Sequence, residues 1–409
     1  WHEALALAVT LSIVEALRRY RIERTNRDLR RRLKQANQEL ERKNERLGAL
    51  TDTAHRFVDD VAHEFRTPLA VIKEFAAIID DGLGGDVTAA QHEYLAFIRT
   101  ASQDLADLVD DFLDSGKLQA RTLRVTRRRY DIREILEEVR PLLESRARAR
   151  GVPVQFDVAA DAGSIFVDEE KLRRILVNLV VNALKFSSAG APVVVEAAPA
   201  ADGRVRIGVR DQGPGMSPEE CESLFERFRQ GGEAWRVESR GFGLGLNIVR
   251  SLAEVNLARV AVESELGAGS CFTVDVPRFD VPAIVDAFIE MSGRRHGKGT
   301  LSLYRVEPPT PAADGEHGLE DFVASVCHPH DLILPTADGR GVHVVLETGE
   351  PEAWRRRLLA EASHDPEWSP ANEGGPPLEA VHLGSWFVGA ARAPLVDLLR
   401  TPTELARAS

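Results

Sequence analysis

Hydrophobic residues in the first part of the chain recur with alternating spacings of four and three residues. Between residues 29 and 61, nine of the ten positions of this repeat are apolar, and Lys43 is the exception. Such a repeat over more than four heptads predicts a parallel coiled coil, in which a core lysine weakens the seam and influences register. The repeat continues as Leu69, Ile72, Ala76 and Ile79, which predicts one helix from about residue 22 to residue 80.

A glycine-rich sequence, DGLGGD at residues 81–86, ends this helix, because clustered glycines favour turns. A second amphipathic helix follows, and its apolar face comprises Tyr94, Ile98, Ala101, Leu105, Leu108 and Phe112. Two antiparallel helices with wide apolar stripes form a four-helix bundle when they pair with a second copy. The sequence therefore predicts a helical hairpin that forms a homodimer.

From about residue 127 the pattern changes to short helices and strands. We predict helices at residues 131–148, 168–186 and 243–256, and strands at residues 152–159, 193–198, 204–211, 258–264 and 270–277. A long irregular stretch covers residues 212–241. This mixture predicts a separate α/β domain over residues 127–279.

Beyond residue 280 helices and strands alternate again, with proline- and glycine-rich interruptions at residues 307–318 and 366–377. We predict helices at residues 282–292, 318–327 and 351–362, and strands at residues 300–306, 331–336, 341–347 and 380–390. Alternation around a central hairpin predicts an α+β ferredoxin-like domain over residues 280–409.

Composition narrows the class of protein. A chain of 409 residues is long enough for about two to four domains. The net charge of −12 gives no indication of a nucleic-acid-binding surface. Cys221, Cys271 and Cys327 are far apart, so neither a disulfide framework nor a paired-cysteine metal site is predicted. These features fit a soluble protein of a reducing compartment.

The N-terminal region begins with Trp1, and we expect it to continue from a longer protein. Its apolar run at residues 4–14 is 11 residues long, whereas a membrane span needs about 20. We therefore favour a helix at residues 1–21 that packs on a sensor domain or a dimer mate over the end of a transmembrane helix. A signalling coiled coil at residues 22–54 and the helical hairpin at residues 55–120 follow.

A histidine in the first hairpin helix is not required for packing. His63 comes two residues after the seam position Val61, about 200° round the helix, so its ring is expected to face solvent. Glu64 follows it directly. Pro68 lacks the N–H that would bond to the carbonyl of Glu64, so we expect a bend there. An isolated exposed histidine is most often a solvated surface residue, and other observations must decide its role.

Three polar side chains share one face of the helix predicted at residues 168–186. Asn178, Asn182 and Lys185 are spaced i, i+4 and i+7. Asparagine is a poor residue for a helix interior because it competes for backbone hydrogen bonds. Two asparagines and a lysine suit a magnesium ion and phosphate oxygens, although a solvated helix face would look the same.

Two glycine-rich segments follow. In DQGPGM at residues 211–216, Asp211 ends a predicted strand and suits an exocyclic amine, while Gly213 and Gly215 permit positive φ and close approach of a ligand. In GFGLGL at residues 241–246, glycines open a predicted helix and offer free N–H groups to phosphates. Each segment alone is also compatible with an ordinary turn.

Together and in this order, these motifs resemble the catalytic region of sensor histidine kinases of two-component systems, whose ATP-binding domain has the Bergerat fold. The motif LFERFRQ at residues 224–230 and the motif AHEFRTPL around His63 extend the resemblance, which covers about residues 55–278. It implies ATP and magnesium as cofactors, with Asn182 on the metal and residues 216–241 as a lid. It assigns to nucleotide binding Asn178, Asn182, Lys185, Asp211, Gly213, Gly215, Phe225, Gly241, Gly243, Gly245 and Leu246.

The same resemblance implies a reaction. His63 would attack the γ-phosphorus of ATP, Glu64 would accept or orient its proton, and Arg227 or Arg229 would reach the γ-phosphate. The phosphoryl group would pass to a receiver domain on a separate response regulator. Thr67 would position water for the reverse, phosphatase reaction. The location implied is cytoplasmic, with tethering to the membrane through upstream residues left open.

The C-terminal segment weakly resembles a GGDEF domain, but the hairpin turn TADGRGVHVVL lacks the Gly-Gly-Asp/Glu-Glu pattern. We therefore expect a non-catalytic domain, and we interpret the cluster Cys327-His328-Pro-His330 as a loop rather than a metal site.

Two alternatives remain. One is a pseudokinase that binds nucleotide and signals by conformation. The other is a Bergerat-fold ATPase of the chaperone or topoisomerase type, which lacks the His-Glu helical hairpin.

Overall fold

The computed structural model describes residue 65 and residues 67–119, 123–188, 190–200, 202–224, 245–297, 299–308, 316–347, 350–365, 368 and 378–400. The helix predicted at residues 1–21 and the coiled coil predicted at residues 22–54 lie outside these ranges. The chain divides into two units, Trp1–Gln103 and Asp104–Ser409. Within the described residues, no helix is both long and apolar enough to cross a membrane.

The helical hairpin consists of helix α1 (residues 67–80) and helix α2 (Ala89–Gln119). Gly82 and Gly85 in the intervening turn have φ of 74° and 123°, which explains why glycine is present there. Asp80 at the end of α1 accepts a hydrogen bond from Arg99 on α2. The predicted break and second helix are therefore confirmed. The bend predicted at Pro68 involves Glu64, which lies outside the described residues.

The hairpin leaves much of its apolar surface exposed within one chain. Leu69, Ala76 and Leu95 are buried. In contrast, Phe75, Tyr94 and Phe97 are 60%, 64% and 65% exposed. The seam positions Ile72 and Ile79 are also exposed, each at 46%.

The central domain, residues 123–279, is built on a five-stranded mixed sheet. Its strands are β2 (Val154–Val158), β4 (Val193–Pro199), β5 (Arg204–Asp211), β6 (Arg259–Glu265) and β7 (Gly269–Pro277), in the order β2-β4-β5-β7-β6. Strands β2 and β4 are parallel, and the other pairs are antiparallel. Helices α3 (Ile132–Arg150), α4 (Glu169–Phe186) and α6 (Gly245–Val255) form the second layer.

The core of the central domain lies between this sheet and its helices, because both present apolar residues with matching periods. Strand positions Val193, Val195 and Val209 are fully buried, as are Leu176 and Val180 of α4. Val177 and Val181 of the same helix are only half-buried. The buried residues of α4 are Lys171, Leu172, Ile175, Leu176, Leu179, Val180, Ala183 and Leu184.

Three short elements were not predicted from the sequence. Strands β1 (Arg128–Asp131) and β3 (Ser164–Val167) form a separate two-stranded antiparallel sheet. Helix α5 (Pro218–Ser223) begins with a capping box between Ser217 and Glu220, inside the stretch at residues 212–241 for which the sequence predicts irregular structure.

The C-terminal domain, residues 280–400, contains a second sheet. Strands β8 (Thr300–Glu307), β9 (Leu332–Pro335), β10 (Val342–Leu346) and β11 (Glu379–Phe387) are antiparallel in the order β11-β8-β10-β9. Helix α8 (Glu316–Val326) follows β8, and helix α9 (Pro351–His364) follows β10. Helix α7 (Val281–His296) precedes the sheet, and helix α10 (Arg392–Arg400), which was not predicted, ends the described chain.

Both faces of this second sheet are covered, so the strand β8 is buried along almost its whole length. Residues such as Tyr304 and Val306 pack in a core with α8 and α9. Leu301 and Leu303 belong to a core with α7 and α10. This second core also includes Phe166 of β3 in the central domain.

Polar contacts connect the same two domains. Glu290 of α7 accepts hydrogen bonds from Arg204 of β5 at 3.1 Å and from Arg259 of β6 at 2.7 Å, and Arg294 of its own helix also reaches it. These bonds lower the pKa of Glu290 against the opposing effect of burial. The central and C-terminal domains therefore share both an apolar core and an ion-pair network.

Candidate functional site

Helix α4 places the three predicted polar residues together. Asp168 caps its N-terminus by accepting from the backbone N–H of Lys171, and the apolar face described above fixes its rotation. Asn178, Asn182 and Lys185 are half-buried rather than fully exposed. The Lys185 ammonium lies 5.4 Å from the centre of the Phe186 ring. This face is therefore a partly enclosed polar surface and not a plain solvated one.

Within the described residues, Asn178 is one of several residues with an unsatisfied buried polar atom. Its side-chain nitrogen is buried and has no hydrogen-bond partner among the described residues. Buried polar atoms are nearly always paired, so an unpaired donor calls for an explanation such as a bound ligand. An oxygen-bearing ligand beside α4 would supply the missing acceptor.

Asp211 ends strand β5 and is 5% exposed. One carboxylate oxygen accepts hydrogen bonds from the backbone N–H of Gly213 at 2.9 Å and of Ser270 at 3.3 Å. Burial raises the pKa of Asp211, and the two N–H donors oppose that effect. The carboxylate is thus held in a fixed orientation by its own turn and by the neighbouring strand β7.

The turn after Asp211 fits closely between two other segments. A Cβ at Gly213 would lie 2.8 Å from the carbonyl oxygen of Phe186, the last residue of α4. A Cβ at Gly215 would lie 1.9 Å from the carbonyl oxygen of Glu265. The turn therefore brings Asp211 and the C-terminal end of α4 together.

This geometry corrects our explanation of the two glycines. Gly215 has the expected positive φ, at 68°, but Gly213 does not belong to the positive-φ glycines. At both positions the protein's own backbone lies too close for a Cβ, and at Gly215 the positive φ also favours glycine.

Two serines complete the turn, and the sequence did not single them out. The Ser264 hydroxyl donates to the carbonyl of Gly269 and accepts from the backbone N–H of Met216. Ser270 pairs with Asp211 across β5 and β7, so the strand register was the one signal that would have found it.

At the second glycine-rich segment the structure describes the last two predicted residues. Gly245 begins α6, and a Cβ there would meet no atom of the described residues within 4 Å. Leu246 is partly buried against the central core. Phe225, Gly241 and Gly243 lie outside the described residues, as do Arg227 and Arg229.

The predicted acceptor region is described only in part. His63 and Glu64 lie outside the described residues. Thr67 is exposed on α1.

Two protein-family models match separate parts of the region that resembles a histidine kinase. Residues 53–121 match the His Kinase A (phospho-acceptor) domain, and residues 167–280 match the histidine kinase-, DNA gyrase B- and HSP90-like ATPase. The chain therefore contains the phospho-acceptor and ATPase domains of a histidine kinase. Helix α4, Asp211 and the start of α6 all fall within the ATPase range, and His63 and Thr67 fall within the phospho-acceptor range.

Individual kinases are also similar in sequence to this chain. The chain is 32% identical to the histidine protein kinase DivJ of Caulobacter vibrioides over 269 residues, which are 66% of this chain and 45% of DivJ. It is 32% identical to the adaptive-response sensory kinase SasA of Parasynechococcus marenigrum over 271 residues, which are 66% of each. The chain thus spans from about half to two thirds of the length of these two kinases.

Among solved structures, the crystal structure of full-length ShkA in complex with AMPPNP is 33% identical, with a TM-score of 0.44. The similarity covers 55% of this chain and 46% of ShkA.

The residues of this ATPase domain fit a magnesium nucleotide. Magnesium prefers oxygen ligands, which the amide of Asn182 offers. The side-chain nitrogen of Asn178 has no partner among the described residues and can donate to an oxygen acceptor. The donor set on α4 is therefore compatible with both parts of the ligand.

Proposed function

We propose that the chain is an ATP-dependent histidine kinase that phosphorylates its own His63 and passes the phosphoryl group to an aspartate of a separate response regulator. The observation that carries the proposal is the pairing of a phospho-acceptor domain with an ATPase domain in which Asp211 and α4 meet at one turn. Magnesium, held by Asn182, would offset the negative charge that develops on the phosphate oxygens.

The chain's own residues have separate tasks in this reaction. Asp211 accepts a hydrogen bond from the adenine amine, Lys185 and Asn178 contact phosphate, and neutral His63 provides the nucleophilic nitrogen. Glu64 accepts or orients the proton on the other ring nitrogen. Phe225, Gly241, Gly243, Gly245 and Leu246 complete the nucleotide site, as the resemblance implies.

We further propose that the hairpin forms a homodimer and that Thr67 supports dephosphorylation of the regulator. The exposure of Phe75, Tyr94 and Phe97 supports the dimer, because monomeric proteins rarely leave large contiguous apolar patches exposed. The exposed position of Thr67 leaves it accessible to a partner.

We assign the C-terminal domain to the ferredoxin-like type. The connectivity β8-α8-β9-β10-α9-β11 with the strand order β11-β8-β10-β9 supports this assignment. The β9–β10 turn supports a non-catalytic role. Its acidic residue, Asp338, accepts from the Thr336 hydroxyl at 2.6 Å and from Arg305 at 3.0 Å, so it stabilises the turn itself.

An autophosphorylation assay with γ-labelled ATP tests the proposal. We expect label on the wild-type chain and none on His63→Ala, while both bind nucleotide. Asp211→Asn should lose nucleotide binding as well as label, and Thr67→Ala should keep the label and lose phosphatase activity towards a phosphorylated receiver domain.

Different failures have different meanings. Undiminished labelling of His63→Ala would refute the acceptor assignment. Nucleotide binding by the wild type with no label in the presence of magnesium would favour the pseudokinase alternative.

A further inference from the structure

The C-terminal end of helix α6 has an unusual residue. Leu257 has a φ of 56° and is the one non-glycine residue with positive φ among those described. Its backbone N–H donates to the carbonyl of Glu254, and the N–H of Ala258 donates to the carbonyl of Ala253. This is the Schellman arrangement, whose left-handed position is usually occupied by glycine because a side chain costs about 1–2 kcal/mol there.

The side chain of Leu257 explains why this strain is tolerated. It is completely buried, and it belongs to the core formed by α7, α10 and the second sheet. Burying a leucine contributes roughly 1.5–3 kcal/mol, which is enough to offset the backbone strain. The end of α6 is therefore anchored in the C-terminal domain by a residue of the central domain.

Arg127 makes a second connection at the same place. It is buried, and its guanidinium donates to the carbonyl of Val255 at the end of α6. The same guanidinium donates to the carbonyls of Asp331 at 2.9 Å and Pro329 at 2.6 Å, which belong to the C-terminal domain. Only an arginine fork presents donors in this many directions from one rigid plane.

The N-terminal end of α4 is hydrogen-bonded to the residues on either side of this connection. Asn256 accepts a hydrogen bond from the backbone N–H of Asp168 at 2.6 Å through its side-chain oxygen. Asp168 caps α4, and its carboxylate also accepts from the backbone N–H of Thr126 at 2.9 Å. We call Thr126, Arg127, Asp168, Asn256 and Leu257 the rear junction.

The rear junction lies at the ends of α4 and α6 that are opposite to the candidate nucleotide residues. Asn182 and Lys185 are near the C-terminal end of α4, whereas Asp168 is its N-cap. Gly245 and Leu246 are at the N-terminal end of α6, whereas Leu257 follows its C-terminal end. Each helix therefore has one end at the rear junction and the other end among the candidate nucleotide residues.

We propose that Arg127 and Leu257 are positioning residues through which the docked C-terminal domain fixes α4 and α6 for nucleotide binding. This inference rests on the proposed kinase function. The C-terminal domain is then a structural part of the nucleotide site, and not an independent attachment. Arg127 also lies in the segment between the helical hairpin and β1, so the same contact holds that segment.

The test uses the full chain with Arg127→Lys, Arg127→Gln and Leu257→Gly. Arg127→Lys keeps the charge but loses the fork, and Leu257→Gly relieves the strain but loses the anchor. We expect each variant to bind a fluorescent ATP analogue at least about 5-fold more weakly and to raise the KM for ATP more than it lowers kcat. Arg124→Gln, an exposed arginine of the same segment, is the matched control and should bind like the wild type.

Hydrogen exchange distinguishes positioning from general loss of stability. In Leu257→Gly and Arg127→Lys, amides of residues 245–252 should exchange faster, while those of β4 and β5 should keep their protection. If Arg127→Gln does not fold, the other two variants decide the matter. Wild-type nucleotide affinity in both of them, with labelling of His63 intact, would overturn this inference alone. Failure of the wild type itself to bind ATP would instead overturn the proposed function.

Discussion

The helical hairpin and the central domain differ in how far they bury their large apolar side chains. In the central domain, Ile135 and Leu143 of α3 and Leu176 of α4 are completely buried within one chain. In the hairpin, Phe75, Tyr94 and Phe97 are more than half exposed. The central domain thus forms its core from a single chain, together with the C-terminal domain. The hairpin also has large apolar side chains, but within one chain only some of them are covered.

The largest effect should come from the central core. Adjacent leucines of α3 provide a matched pair, since Leu143 is fully buried and Leu142 is 46% exposed. We expect Leu143→Ala to lower the free energy of unfolding by about 2–5 kcal/mol, through lost burial and a residual cavity. Leu142→Ala should change it by less than about 0.5 kcal/mol. Chemical denaturation measures both, and equal losses would contradict the burial described here.

A pair of glycines compares packing at two turns. Gly82 in the hairpin and Gly215 in the central domain have φ of 74° and 68°, but only Gly215 faces a carbonyl at short distance. Gly82→Ala should cost about 1–2 kcal/mol from φ strain alone. Gly215→Ala should cost about 2–4 kcal/mol, because the turn must also move away from Glu265. It should weaken nucleotide binding, which Gly82→Ala should leave unchanged.

Association tests whether the hairpin needs a second copy. Removing the exposed ring in Phe97→Ala should weaken dimerisation by about 1.5–3 kcal/mol, or roughly 10- to 150-fold, if the ring is buried in the dimer. Analytical ultracentrifugation gives the dissociation constant. Leu83→Ala, at an exposed position in the turn, is the control and should leave it unchanged. If the wild-type chain is monomeric, the hairpin does not use a second copy to cover these side chains, and its contrast with the central domain does not hold.

The smallest effect concerns two aspartates with opposite pKa shifts. The hydrogen bond with His92 lowers the pKa of the half-buried Asp80 below its ordinary 3.8, whereas burial raises that of Asp211 above it. The stabilisation from Asp80 is present above pH 3.8 and is lost as the pH falls through its lowered pKa. The contribution of Asp211 is present below pH 3.8 and is lost as the pH rises through its raised pKa. Carboxyl-carbon NMR titration should place the two midpoints on opposite sides of 3.8.

Much of the fold could be predicted from the sequence because most elements have clear periodicity. The long helices α3 and α4 and strands such as β5 begin and end close to the predicted residues. Strands β1 and β3 were missed because four-residue strands are too short for an alternating pattern to show.

The sequence indicated the candidate site residues but not the contacts that they make. Asn178 and Asp211 were found because polar residues and glycines stood out at the ends of apolar elements. That Gly213 approaches Phe186, or that Ser270 donates to Asp211, depends on how distant segments pack. The rear junction was not predicted either, because Leu257 and Arg127 have no special sequence context and become notable only through a buried contact with another domain.

The ion-pair network around Glu290 has a consequence for recombining kinase domains. Only three residues separate the end of β7 at Pro277 from the start of α7 at Val281. A chimaera joined at residue 280 would keep Arg204 and Arg259 but lose the carboxylate that both contact. It would also expose Phe166. When domains are exchanged between kinases, the crossover point in this chain should therefore lie upstream of Leu123. The central and C-terminal domains are then transferred together.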